Sequence, residues 1–184
     1  MLNNKYQALQ SALHLPTHEE ALNVFSTVED FNVRSNAGKV NILHHYITEN
    51  DYDSGKDLRI KDFYTLIQMG ADVNAHAHDG QTPLHYCANY SNYEAAKILI
   101  ENGADVNITD VTGRPPLFSA IMGYRGQENL LKIIKLFLAN GADLDKPNNS
   151  GKTPRDAAKM LKNMVERSPI IKKDWDLSAY IRLD

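Results

Sequence analysis

A single cysteine, Cys87, excludes an internal disulfide and fits a reducing compartment. Clustered positive charge is also missing, since no Lys/Arg run exceeds Lys172-Lys173. With 20 Lys and Arg against 23 Asp and Glu, the net charge is −3 and the isoelectric point about 6.1, which argues against a nucleic-acid partner. No apolar run approaches the roughly 20 residues of a membrane span, and the opening stretch MLNNKYQALQSALHLPTHEE holds no apolar segment of signal-peptide length. The expectation is a cytoplasmic chain without a membrane partner. Catalytic signatures are absent as well: there is no G-x-S-x-G, phosphate-binding loop, paired cysteine or H-E-x-x-H. Cys87 itself reads as a small core residue rather than a nucleophile.

What the chain does have is repetition. Gly-Ala-Asp occurs at Gly70, Gly103 and Gly141, spaced 33 and 38 residues apart, each time after an apolar helical run. A period in this range marks stacked repeats, whose function lies on a surface. Around the middle copy, TPLHYCA at Thr82 to Ala88 and ILIENGADVN at Ile98 to Asn107 together resemble the ankyrin repeat. Weaker copies flank it. Ile42-Leu43-His44-His45 with IQMGADVN closing at Asn74 precedes, and Pro116-Leu117-Phe118 with FLANGADLD closing at Asp145 follows. Asp30 to Gly38 aligns without a gap to Asp72 to Gly80, and Thr153-Pro154 opens a last, degenerate unit. The resemblance covers nearly the whole chain. It implies an all-α solenoid of four to five helix-turn-helix units with hairpin-like fingers, approximately 1–38 as N-terminal cap, 39–80, 81–113, 114–151, and 152–184 as C-terminal cap.

Each part of the repeat has a local cause. Thr82 can receive the free N–H groups of the helix it precedes, and Pro83 sits at the first helical position, where its missing donor costs nothing. Gly103 and Gly141 stand where a left-handed residue stops a helix. Thr17-His18-Glu19-Glu20 has the capping-box pattern. Leu130, Ile133, Ile134, Phe137 and Leu138 share a stripe while Leu131 and Leu136 lie off it, as a helix covered on two sides requires. The longer first and third units are expected to place their extra residues between the two helices, near Glu49 to Gly55 and near Gly123 to Gln127. Pro115 and Phe118, where Thr and His stand in the second unit, predict a looser helix start. Ser168-Pro169 followed by Ile171 and Trp175 predicts a terminal helix whose Trp covers the last repeat or else belongs to a partner site or dimer contact.

The resemblance also implies a concave groove lined by finger tips and first helices, where another protein binds. Carried over residue by residue, the partner-binding positions are Ala77, His78, Asp79, Gln81, Asn89 and Tyr90, then Val111, Thr112, Arg114, Met122, Tyr124 and Arg125, then Asn149, Ser150 and Lys152. Asn36, Ala37, Lys39, Thr48 and Glu49 are their counterparts in the first unit. His85, and His44 one residue out of register, resemble the family's structural histidine that ties a helix start to the neighbouring finger. Asn74 and Asn107 occupy positions that asparaginyl hydroxylases modify in similar repeats.

The expected function is therefore binding of a partner protein by occlusion or scaffolding, by a chain that is a monomer on its own, carries no cofactor and performs no chemistry. The Asn-, Lys- and Ile-rich composition fits a bacterial toxin-neutralising immunity protein or a host-directed effector acting in the host cytosol; an ordinary cytosolic inhibitor or adaptor fits as well. The competing reading is a metal-binding or enzymatic arm at His76, His78 and Asp79, where two imidazoles and a carboxylate could hold zinc.

Overall fold

Helix starts and stops written in the sequence divide the chain in the computed structural model, which describes residues 2–35, 38–49, 60–167 and 177–182. Among these, nine helices form: α1 (Leu2–Ala12), α2 (His18–Phe25), α3 (Ile42–Glu49), α4 (Ile60–Gln68), α5 (Pro83–Asn89), α6 (Tyr93–Glu101), α7 (Pro116–Gly123), α8 (Glu128–Ala139) and α9 (Pro154–Arg167). The capping box before α2 is present, with Thr17 N–H on Glu20 Oε2 at 3.1 Å and Glu20 N–H on Thr17 Oγ1 at 3.2 Å. The same reciprocal pair opens α9 between Thr153 and Asp156, at 3.0 and 3.1 Å. α7 starts after Pro115 without any side-chain cap, as expected.

The three Gly-Ala-Asp sites stop their helices identically. Gly103 N–H reaches Ile100 O at 3.0 Å and Ala104 N–H reaches Leu99 O at 3.0 Å, and the same two bonds recur at Gly70-Ala71 and Gly141-Ala142. Successive helices then pack as two layers: α1, α3, α5, α7 and α9 form the inner one, α2, α4, α6 and α8 the outer. One continuous core runs between them through Leu9, Phe25, Leu43, Phe63, Leu84, Leu99, Leu117, Ile133, Phe137 and Leu161. Each fully buried Leu there contributes about 2 kcal/mol or more. Cys87 belongs to this core, and burial pushes its thiol well above the ordinary range, which removes it from thiolate chemistry.

An asparagine ladder locks adjacent units. Asn32, Asn74 and Asn107 each donate through Nδ2 to the Gly carbonyl of the next unit (3.0, 3.3 and 3.0 Å). Through Oδ1 each accepts the N–H of the following Asp (2.7, 2.9 and 2.8 Å). At the fourth rung Asp145 replaces Asn and turns to Arg155, with Nε–Oδ1 at 2.7 Å. A carboxylate cannot donate to another Gly carbonyl, so the ladder ends there. Beyond α9, Leu177 and Ile181 are buried, Tyr180 lies under Lys135 Nζ at 4.1 Å, and Arg155 also donates to the Arg182 carbonyl. Ser168-Pro169, Ile171 and Trp175 lie outside the described residues.

One sequence expectation needs correction. The five extra residues of the third unit are not a surface loop: α8 has twelve residues where α6 has nine, and the segment between α7 and α8, Tyr124 to Gln127, is only one residue longer than its counterpart before α6. The apolar stripe Leu130, Ile133, Ile134, Phe137 stays in register through the added turn, and Lys132 pairs with Glu128 at 2.8 Å, so elongation buries more than a loop could. The fingers are hairpin-like reversing turns as expected, and no strand forms among the described residues. The extra stretch near Asn50 to Gly55 lies outside those residues.

Candidate functional site

Each finger is closed by its own backbone. Ala77 N–H donates to Gln81 O (2.9 Å), Asp110 N–H to Arg114 O (2.9 Å) and Asn148 N–H to Lys152 O (2.8 Å), around turns in which Gly80, Gly113 and Gly151 have positive φ. Neighbouring fingers are then stitched together: His78 N–H to Gly38 O at 2.9 Å, Val111 N–H to Asp79 O at 3.0 Å, Asn149 N–H to Thr112 O at 3.0 Å. Gly80 and Gly113 permit this approach. A Cβ on Gly80 would meet Val111 N at 2.7 Å, and one on Gly113 would meet Asn149 N at 2.9 Å.

Two histidines tie the inner helices to these fingers. His85 Nδ1 accepts Thr82 N–H at 3.1 Å and its Nε2 lies 2.9 Å from Arg114 O. His44 repeats the arrangement with Asn41 N–H at 3.3 Å and Gln81 O at 3.1 Å. The His85 geometry fits the neutral ring with its proton on Nε2, whereas His44 Nδ1 also lies 2.6 Å from Asn41 Oδ1. Burial lowers the pKa of both imidazoles, that of His44 to about 4. In the first finger Lys39, with φ 50, takes the place that Gly80 holds in the second. Phe118 offers no such proton, and Asn149 Nδ2 on Val111 O at 3.0 Å supports that junction instead.

The structure sorts the outward positions. His78, Asp79, Asn89, Tyr90, Val111, Thr112, Met122, Arg125, Asn149 and Lys152 are exposed, while Gln81 and Arg114 are half-buried. Several are committed internally. Asn89 Nδ2 donates to Gln81 Oε1 at 2.9 Å, and Arg125 Nη1 caps the end of α7 on Met122 O (3.0 Å) and Tyr124 O (2.6 Å). Arg114 grips Asp110, Nη2–Oδ2 3.1 Å and Nε–Oδ2 3.2 Å. Burial raises the pKa of Asp110, but bonds from the Thr112 hydroxyl and the Thr112 and Arg114 N–H groups, with the Arg114 charge, bring it below the ordinary value. Tyr124 is a correction: at 2% exposure it belongs to the core, because α7 ends one residue earlier and turns its ring inward. Ala77 is buried too. Asn36 and Ala37 lie outside the described residues.

Sequence reasoning missed Tyr86. Its ring meets His44 edge-on at 4.7 Å and stacks with Tyr90 at 6.1 Å, so an aromatic row crosses from α3 to the end of α5. Its place directly after Leu84-His85 was the available signal. Met160 and Met164, spaced i, i+4 on α9, were also missed and are exposed.

The His76, His78, Asp79 arm does not gather ligands. His76 Nδ1 lies 3.1 Å from Gly80 O and Asp79 Oδ1 accepts Gln81 N–H at 3.1 Å. No group of three or more His, Cys, Asp or Glu converges among the described residues. Asn74 and Asn107 have both ends of their amides in the ladder. No helix among those residues is long and apolar enough to cross a membrane.

Known proteins share this organisation. A family model of ankyrin repeats, three copies, matches residues 57–148. Human Rabankyrin-5 is 32% identical over 146 residues, covering 72% of this chain and 11% of that protein. The Neurogenic locus Notch protein of Drosophila melanogaster is 32% identical over 134 residues, covering 71% of the chain and 5% of Notch. A putative ankyrin repeat protein of Rickettsia bellii is 33% identical over 131 residues, 71% of the chain and 52% of its own length. The chain thus spans from a twentieth to about half of these relatives. With three identical helix stops, two histidine-tied fingers and an asparagine ladder in the matched region, the chain belongs to the ankyrin-repeat family.

Proposed function

We propose that this chain binds a partner protein along its inner edge, through the finger tips and the first helix of each unit, and acts by occlusion or scaffolding. Ankyrin repeats generally mediate protein–protein interaction, and one observation carries the choice of face here: Tyr90 at the end of α5 and Val111 on a finger bonded to its neighbour through the Asp79 carbonyl are 36% and 64% exposed, both on elements of the inner edge. A pre-ordered edge loses little entropy on binding. Tyr90, a large ring with a polar tip, is of the type that supplies hot-spot area there. The chain works as a monomer in the cytoplasm, needs no metal and catalyses nothing. A regulatory adaptor and a bacterial immunity or effector protein both fit, and relatives occur in animals and in Rickettsia bellii.

The test is crosslinking and affinity recovery from the native cell with Tyr90→Ala and Val111→Glu, against Lys97→Ala on the outer layer. Inner-edge changes should reduce recovery of a specific protein and the outer change should not; the reverse pattern overturns the choice of face. Arg114→Glu is unsuitable, since it would unseat Asp110 and distort the finger as well.

A further inference from the structure

Met122 on α7 and Met160 and Met164 on α9 line one groove at the C-terminal end of the inner layer, floored by Ile121, Ala157 and Leu161. They are 40%, 52% and 38% exposed and make up three of the chain's five methionines. Unbranched thioethers on a surface accommodate varied apolar shapes better than any aliphatic residue. The charge around them is the second observation. The groove and the open cleft adjoining it on α9 bring in Arg125, Lys152, Lys159 and Arg167 against one carboxylate, Asp156, in a chain whose net charge is −3. That carboxylate is already bound to Thr153 N–H through Oδ2. Local charge of sign opposite to the whole selects the sign of what docks.

Resting on the protein-binding reading, we infer that this groove takes an acidic amphipathic helix of the partner, its apolar side chains on the methionines and its carboxylates on the basic rim. Two methionines at i, i+4 on α9 offer a seam of the length that apolar anchors at i, i+4 on a docked helix fill. The rim Lys and Arg then meet carboxylates on the flanks of that helix, which a basic or neutral helix would leave uncompensated.

The test uses the whole chain with its methionine methyls labelled with carbon-13. The probes are a synthetic helix with Leu at i, i+4 and Glu elsewhere, the same peptide with Lys for Glu, and the Glu peptide scrambled to destroy the apolar stripe. The Glu helix should shift the methyl signals of Met122, Met160 and Met164 and leave Met69 in place. Its affinity should fall about tenfold or more with Met160→Gln or with Lys159→Glu. It should also weaken as salt rises from about 0.05 to 0.3 M. Met160 is exposed and Lys159 half-exposed, and unchanged circular dichroism verifies the fold of each variant. Equal binding of the Lys or scrambled peptide, no shifts at these methyls, or preferential binding to vesicles of anionic phospholipid would overturn the inference. If the Glu helix fails while Tyr90→Ala still reduces partner recovery, the binding face stands and only this groove assignment falls.

Discussion

Lowering the pH from 7 to 5 should destabilise the stack, with His44 as the largest single contributor. Its folded-state pKa is about 4, against an ordinary 6.5, because burial disfavours the imidazolium. The unfolded chain therefore binds more protons between these values, and stability falls as pH falls through that window. It is fully present above about pH 6.5 and is lost toward pH 4. Linkage gives about 2 kcal/mol lost at pH 5 relative to pH 7, rising to about 3 kcal/mol when titration is complete. His85 and His45 are displaced in the same direction by burial, and His45 Nε2, beside Tyr6 and His14, is enclosed with no hydrogen-bond partner among the described residues. Carboxylates held low, such as Asp110, titrate below this window and do not mask it. The assay is urea unfolding at both pH values for the natural chain and His44→Gln, with constant slope required before free energies are compared. The variant should be less stable at pH 7, and its deficit should shrink by about 2 kcal/mol at pH 5. An identical deficit at both pH values would refute the claim that His44 is held neutral by the fold.

Other substitutions probe the stitching. Gly113→Ala combines an unfavourable φ with a Cβ 2.9 Å from Asn149 N, and should cost about 3 kcal/mol in denaturant unfolding; Gly141→Ala, with nothing within 4 Å, should cost only about 1. Asn107→Ala removes both bonds of one rung and should lower stability by about 1–2 kcal/mol, while Asp145→Asn, at the ladder's end, should change it by less than about 1 in the same measurement. Arg114→Ala leaves the buried Asp110 carboxylate without its cation, so stability should fall by roughly 1–3 kcal/mol and hydrogen exchange should quicken at the amides of Thr112 and Arg114.

Local chemistry was legible from the residues alone. Thr17 and Glu20 cap a helix wherever that sequence occurs, and Gly103 stops one, because the interactions involved span no more than a few residues. Repetition of such signals at nearly one period carried the fold, since each copy needs a neighbour to cover its apolar side. Burial and pairing across the stack were decided elsewhere. Tyr124 and Tyr90 look alike as surface aromatics in sequence, yet one is core and the other exposed, because their loops leave the inner helices at different angles. Arg114 reads as a free groove cation until the buried Asp110, four residues earlier, is found under it. The extra residues of the third unit read as a loop until packing drew them into α8. Sequence fixes what each residue can bond to nearby; which surface remains open depends on how the stacked units cover one another, and that is a property of the assembled chain.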